Sequence, residues 1–147
     1  MAKKEAVAAT VTGDDQQVGF RALVMKQAIA YNLGGVARNE PDGIVKFTLQ
    51  GDKDRIDAAL PVIQDCTTRS ADLKIATVPV VVNPDLKSFT IVDWTSSSRN
   101  ITDPYTLVFT LRDDDTEVAA KDVKLVWRGI LENTLNAADR AKLQPED

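Results

Sequence analysis

The spacing of apolar and polar residues along this chain changes period several times, and each change predicts an element. Residues 7–11 are a short apolar run suited to a buried strand. Thr12, Gly13, Asp14, Asp15, Gln16 and Gln17 follow as a polar loop. Over residues 20–32 the period becomes helical, with Val24, Ala28 and Tyr31 on one face and Leu23 beside them. Asn32 tolerates the left-handed backbone that ends a helix, and Gly34-Gly35 then breaks the chain. Residues 36–39 read as a strand and Glu40-Pro41-Asp42-Gly43 as a turn. Residues 44–50 return as a second strand, with Ile44, Lys46, Thr48 and Gln50 alternating with Val45, Phe47 and Leu49. Asp52 is placed to cap a second helix bearing Ile56, Ala59, Leu60 and Ile63, and Pro61 within that stripe predicts a kink or an early end. Residues 73–82 and 89–94 are two further strands, joined by a turn at Asn83-Pro84-Asp85. Pro79 places the later part of the first of these on a sheet edge.

The order strand, helix, strand, strand, helix, strand, with one strand more, is solved by a ferredoxin-like α+β (α/β) sandwich. That fold is a βαββαβ unit whose mostly antiparallel sheet carries the helices on one face. Residues 95–100, Thr-Ser-Ser-Ser-Arg-Asn, mark a boundary between a first domain, 1–99, and a strand–helix extension, 100–147. In the extension, residues 105–112 alternate as a strand and Asp113-Asp114-Asp115 form a charged turn. Residues 119–135 carry a helical stripe of Val123, Val126, Trp127, Ile130, Leu131 and Leu135. Asn136 is placed to cap a last short helix. So short a segment cannot hold a core of its own. Its strand is expected to extend a sheet edge, and its helix to cover an apolar surface of the same chain or of a second copy, which would make a homodimer.

Composition narrows the chemistry. At 44% hydrophobic and 27% charged, the 147 residues are globular in character. There is no histidine, which removes histidine acid–base catalysis, histidine metal ligation and Ser-His-Asp triads. A single cysteine, Cys66, allows neither an intrachain disulfide nor a Cys-rich zinc site. The aspartates at 113–115 lack the spaced ligands of a calcium loop, so no metal site is expected. The net charge of −4 falls wholly in the extension: residues 1–99 hold twelve basic and twelve acidic side chains, residues 100–147 six and ten. A phosphate-tracking nucleic-acid partner needs a basic surface, so none is expected. No apolar run exceeds five residues, which predicts neither a membrane-spanning helix nor a signal peptide, and the cytoplasm is the expected location.

One constellation points to a reaction. Val11, Gly13, Gln16, Val18, Gly19, Phe20 and Arg21 keep the spacing of a V-x-G-x-V-Q-G-V-G-F-R loop. Leu33, Gly35, Asn39, Asp42, Gly43, Gln50 and Gly51 follow in register with a G-x-V-x-N segment, a D-G turn and a Q-G helix approach. Through these residues, the stretch 7–95 resembles the acylphosphatase family. The resemblance implies a hydrolase that cleaves carboxylic–phosphoric anhydrides, turning an acyl phosphate and water into a carboxylate and phosphate. It implies that Arg21 and the loop residues Gln16, Val18, Gly19 and Phe20 bind the phosphoryl group and that Asn39 holds the attacking water. Neither a metal nor a cofactor is called for, and the ligand is a small acyl phosphate or phosphate anion. The residues taken singly allow plainer roles. Arg21 can be a solvated side chain just inside a helix, Asn39 a local hydrogen-bonder before a turn, and Val18 and Phe20 core.

The chain departs from the family pattern at two places. Gln17 stands where the family has glycine, and Asp15 where it has a small apolar residue. These leave a second reading open, in which the same scaffold serves as a non-enzymatic interaction or assembly module or as an anion-binding protein. A carboxylate at Asp15 about 6 Å from the phosphoryl oxygens, at an effective dielectric of about 20, costs about 3 kcal/mol per pair of unit charges. That is on the order of a hundredfold in affinity. Replacing both residues, Gln17→Gly with Asp15→Val, is therefore expected to tighten binding of inorganic phosphate in titration calorimetry. Unchanged affinity would show that the carboxylate faces solvent and that the backbone already fits.

Overall fold

In the computed structural model, residues 4–12, 20–40, 44–68, 74–96, 99–113 and 118–144 are described, and six strands form one sheet. They are β1 (Lys4–Thr12), β2 (Gly35–Asn39), β3 (Val45–Asp52), β4 (Lys74–Val80), β5 (Ser88–Ser96) and β6 (Ile101–Thr110), in the order β4-β1-β3-β2-β5-β6. All neighbours are antiparallel except β2 and β5, which run parallel from Gly35↔Phe89 to Ala37↔Ile91. Among the described residues there are four helices as well: α1 (Phe20–Tyr31), α2 (Lys53–Thr68), α3 (Ala120–Thr134) and α4 (Ala137–Arg140). The first five strands with α1 and α2 make the ferredoxin-like sandwich. β4, with Pro79, lies at one edge of the sheet and β6 at the other.

Alternation along the strands sends one set of side chains into a single core. Ala9 and Val11, Val45, Phe47 and Leu49, Phe89 and Ile91, and Leu107 and Phe109 meet Val24, Met25, Ala28, Ile29, Ile56 and Ile63 from the helices. α1 is buried over more than a stripe: Phe20, Arg21, Ala22, Val24, Met25, Ala28 and Ile29 are all buried. The reason is its place above the sheet, flanked by α2 on one side and α3 on the other. A helix covered on three sides loses the one-faced pattern of a surface helix.

Two local features depart from or sharpen the sequence reading. Pro61 does not end α2, which continues to Thr68. Proline frees the carbonyl four residues back, here that of Asp57, and both residues lie on the exposed side, where water can take that bond. Gly35 opens β2 at φ 148°, and a Cβ there would lie 1.9 Å from the Thr48 carbonyl oxygen, so only glycine fits.

The extension joins the same layers. β6 follows β5 in the chain, and the two strands pair from Ser88↔Thr110 to Ser96↔Ile101. Trp127 of α3 meets Trp94 of β5 edge-on, with ring centroids 6.2 Å apart and planes at 77°, and the Lys26 ammonium of α1 lies 5.4 Å from the Trp127 ring. Val123, Trp127, Leu131 and Leu135 are buried, while Val126 turns outward at 37% exposure. Asn32 ends α1 in the left-handed region, φ 56°. Its side-chain amide donates to the Arg112 carbonyl and accepts from the Arg112 N–H, at 3.1 and 2.7 Å. Arg112 in turn donates to the Ile29 carbonyl at 2.7 Å, and the Val118 N–H to that of Ala30 at 3.1 Å. At the far end, the Asn136 side chain accepts from the Asp139 N–H and caps α4. The Tyr105 hydroxyl and the Lys142 ammonium both donate to the Asp139 carboxylate.

Two outcomes follow from this packing. Trp127→Ala is expected to lower the unfolding free energy by about 3–5 kcal/mol in urea titration, the usual cost of emptying a large aromatic site. Truncation after Arg99 is expected to bare the α1 flank and to produce aggregates in size-exclusion chromatography. The α4 tether carries its own pH signature. The hydrogen bonds from Tyr105 and then Lys142 hold the Asp139 carboxyl below its ordinary pKa, and the bond to Asp139 pushes the Tyr105 hydroxyl above its own. A depressed carboxyl stabilises above its unfolded pKa and loses that contribution as pH falls; a raised phenol does the reverse. The protection of residues 137–143 against hydrogen exchange, relative to the intrinsic rate at each pH, is therefore expected to be greatest at neutral pH. It should fall below about pH 4 and above about pH 10, and Asp139→Asn should remove the acid limb.

Candidate active site

Because β2 and β5 run parallel, their C-terminal ends lie side by side, and α1 starts above that end of the sheet. Two residues beyond the last parallel pair, Ala37↔Ile91, β2 reaches Asn39 and β5 reaches Asp93. Phe20 anchors the first turn of α1 by packing against Phe47 of β3, with ring centroids 6.2 Å apart. The next residue, Arg21, is therefore fixed over the strand ends.

Arg21 is not the solvent-facing side chain that its place after a loop suggests. It is only 9% exposed, and one terminal nitrogen of its guanidinium, NH1, donates to two carbonyls of β5: Val92 at 2.8 Å and Asp93 at 3.0 Å. Those bonds occupy both protons of NH1. Among the described residues its Nε and NH2 donors have no partner, and the Nε–NH2 edge of the same rigid plane suits two oxygens of a phosphoryl group. Burial pulls the guanidinium pKa below its ordinary value, and the Asp93 carboxylate opposes this. A bound anion would offset the same burial cost. The start of α1 adds the positive end of its dipole and its first backbone N–H groups.

Asn39 is the last residue of β2, paired with Val45, and its side chain is exposed. It stands two residues after buried Ala37 and so shares that residue's face, the one that carries the helices and Arg21. Its neighbours Arg38 and Glu40 pair with each other at 2.9 Å. Gln16, Val18 and Gly19 lie outside the described residues, as do Asp15, Gln17 and the Asp42-Gly43 turn. Phe20 is buried, as a core residue should be. Val92 and Asp93 escape sequence reasoning because they act through backbone carbonyls. A concavity of about 560 Å³ lies away from Arg21, by Asn32, Gln50, Leu86 and Arg112, at the opposite end of α1, about 16 Å along the helix. Among the described residues, no helix is long and apolar enough to cross a membrane.

The acylphosphatase family model matches residues 7–91, more than half of the chain. An acylphosphatase from Chlorobaculum tepidum is 37% identical over 82 residues, which is 56% of this chain and 89% of that protein. The structure of an acylphosphatase from Coxiella burnetii superposes with a TM-score of 0.53 and 26% identity, covering 60% of this chain and 92% of its own. Full-length HypF in a phosphate- and nucleotide-bound form superposes with a TM-score of 0.52 and 26% identity, over 63% of this chain and 12% of HypF. The family match ends at Ile91, just before the two carbonyls that hold Arg21 and ahead of β6, α3 and α4. With the strand order, the Phe20-Arg21 helix start and the asparagine at the end of β2 all in place, this chain belongs to the acylphosphatase family.

Proposed function

We propose that the protein is an acylphosphatase-type hydrolase that turns a small acyl phosphate and water into a carboxylate and inorganic phosphate, with Arg21 binding the phosphoryl group and Asn39 holding the water. The observation that carries this reading is the buried guanidinium of Arg21. It is fixed by two neutral carbonyls through a single nitrogen, and among the described residues its Nε and NH2 donors keep no partner at the start of α1.

The chemistry asks for little beyond such a site. Water oxygen attacks phosphorus, the bond from phosphorus to the acyl oxygen breaks, and the electron pair leaves with the carboxylate. A carboxylate is a good leaving group at neutral pH and needs no proton from an enzyme acid, in accord with a chain that has no histidine. The transition state spreads negative charge over the equatorial phosphoryl oxygens. Catalysis is then mainly positioning and charge stabilisation by groups that do not reorganise. Carbonyl partners suit this task because they orient Arg21 without cancelling its charge.

Phosphate release from acetyl phosphate by the full chain tests the reading. Arg21→Ala is expected to lower kcat/KM at least a hundredfold, a loss of about 2.7 kcal/mol of transition-state stabilisation. Because Arg21 is buried and tied to β5, the same change should also lower stability by about 1–3 kcal/mol, which a loop-facing arginine would not do. Asn39→Ala should lower kcat with little change in Tm, since its side chain is exposed. A wild-type protein that binds inorganic phosphate with no turnover of acetyl phosphate would point instead to the anion-binding or assembly role.

A further inference from the structure

We infer that the irregularity of β5 at Val92 and Asp93, backed by β6, is the device that positions Arg21, and that Asp93 is a positioning residue through its backbone conformation. The inference rests on the reading of Arg21 as the phosphoryl-binding group.

The register of the β5–β6 pair shows the irregularity directly. The strands stay in step from Ser88↔Thr110 to Ile91↔Leu107 and pair again at Trp94↔Tyr105, ahead of a second shift before Ser96↔Ile101. β5 has thus advanced three residues while β6 has advanced two, which is one extra residue in β5, the mark of a bulge. Asp93 sits there at φ 55°, in the left-handed region. In a regular strand, successive carbonyls point to opposite sides, so no single donor atom reaches two in a row. Here the consecutive carbonyls of Val92 and Asp93 converge on one nitrogen of Arg21, at 2.8 and 3.0 Å. The left-handed step at Asp93 is what turns them together.

Such a conformation is strained for most residues with a side chain, and aspartate is among the few that tolerate it. The bulge is gripped on both sides. Ile91 before it is fully buried and paired with Leu107 of β6, and Trp94 after it is buried against Trp127 of α3. These supports come from the segment beyond residue 91, where the family match ends. The Asp93 carboxylate itself is exposed. The geometry therefore assigns the work to the backbone of Asp93 and a minor role to its charge, which favours the ionised guanidinium from a distance.

Variants of Asp93 in the full chain test this, with kcat and KM for acetyl phosphate, the inhibition constant of inorganic phosphate and Tm as readouts. Asp93→Val excludes the left-handed backbone and is expected to raise both KM and the phosphate inhibition constant at least tenfold. Asp93→Ala, which disfavours that backbone with the smallest steric change, carries the same expectation if the valine variant does not fold. Asp93→Gly and Asp93→Asn, which accept the conformation without the charge, should recover the affinity. Phe109→Leu, on β6 away from the bulge, should lower Tm and leave phosphate inhibition unchanged. The inference is overturned if Asp93→Val and Asp93→Ala keep wild-type phosphate inhibition while Arg21→Ala loses it, and the hydrolase reading then stands. It is also overturned if the glycine and asparagine variants lose as much as valine, or if Phe109→Leu weakens phosphate equally. Wild-type turnover and phosphate inhibition unchanged in Arg21→Ala would remove the reading and the inference together.

Discussion

The need to bury α1 on three sides governs this structure. Its sequence puts Val24, Met25, Ala28 and Ile29 at zero exposure. One sheet face covers a helix on a single side, so the remaining apolar area must be met by neighbouring helices. At about 25 cal/mol per Å², leaving a flank of that helix in water forfeits several kcal/mol, comparable with the whole stability of a domain this size. α2 closes one flank and α3 the other. β6 is the strand that brings α3 to the right place, since it carries the sheet outward by one position beyond β5. The extension is thus a wall of the α1 compartment.

The same helix is tied at both ends to that wall, and the ties differ in kind. At its C-terminal end, polar groups satisfy one another: Asn32 pairs with the backbone of Arg112, while Arg112 and the Val118 N–H take up carbonyls that the last turn leaves without helical partners. At its N-terminal end, Arg21 reaches β5 with only part of its donor capacity. The helix is held by several bonds at its C-terminal end, and among the described residues it keeps spare hydrogen-bonding capacity at the proposed reaction site.

Much of this was legible in the residues. The hairpin of β2 and β3 follows from the Asp42-Gly43 turn between two alternating runs, and the pairing Asn39↔Val45 bears it out. Asn136 announced a helix start through its own side-chain chemistry, and it caps α4. Asn32 could be placed as a helix end for its tolerance of positive φ; its pairing with Arg112, eighty residues away, has no local sign. The three-sided burial of α1 was legible only in part, because a stripe at helical spacing reports one neighbour and not three. The surroundings of Arg21 were hidden for a different reason. Its partners are main-chain carbonyls some seventy residues on, and their identity as Val and Asp is incidental to the hydrogen bonds they accept. Motif spacing pointed to Arg21 and Asn39, while what holds Arg21 in place was invisible to it.

The position of the wall in the chain has a consequence for synthesis on the ribosome. α1 is made early, over Phe20–Tyr31, yet the segment that closes its second flank runs through Thr134. After Ser96 has been translated, on the order of 0.7–3 s pass at about 5–20 residues per second before Thr110, the last residue of β6, is added. During that interval β5 is the temporary edge of the sheet, a β-prone run of Phe, Thr, Ile, Val and Trp with an open row of hydrogen-bonding groups. Asp93 interrupts that run with a charge and a left-handed kink, the two devices by which natural edge strands discourage pairing with a neighbouring nascent chain.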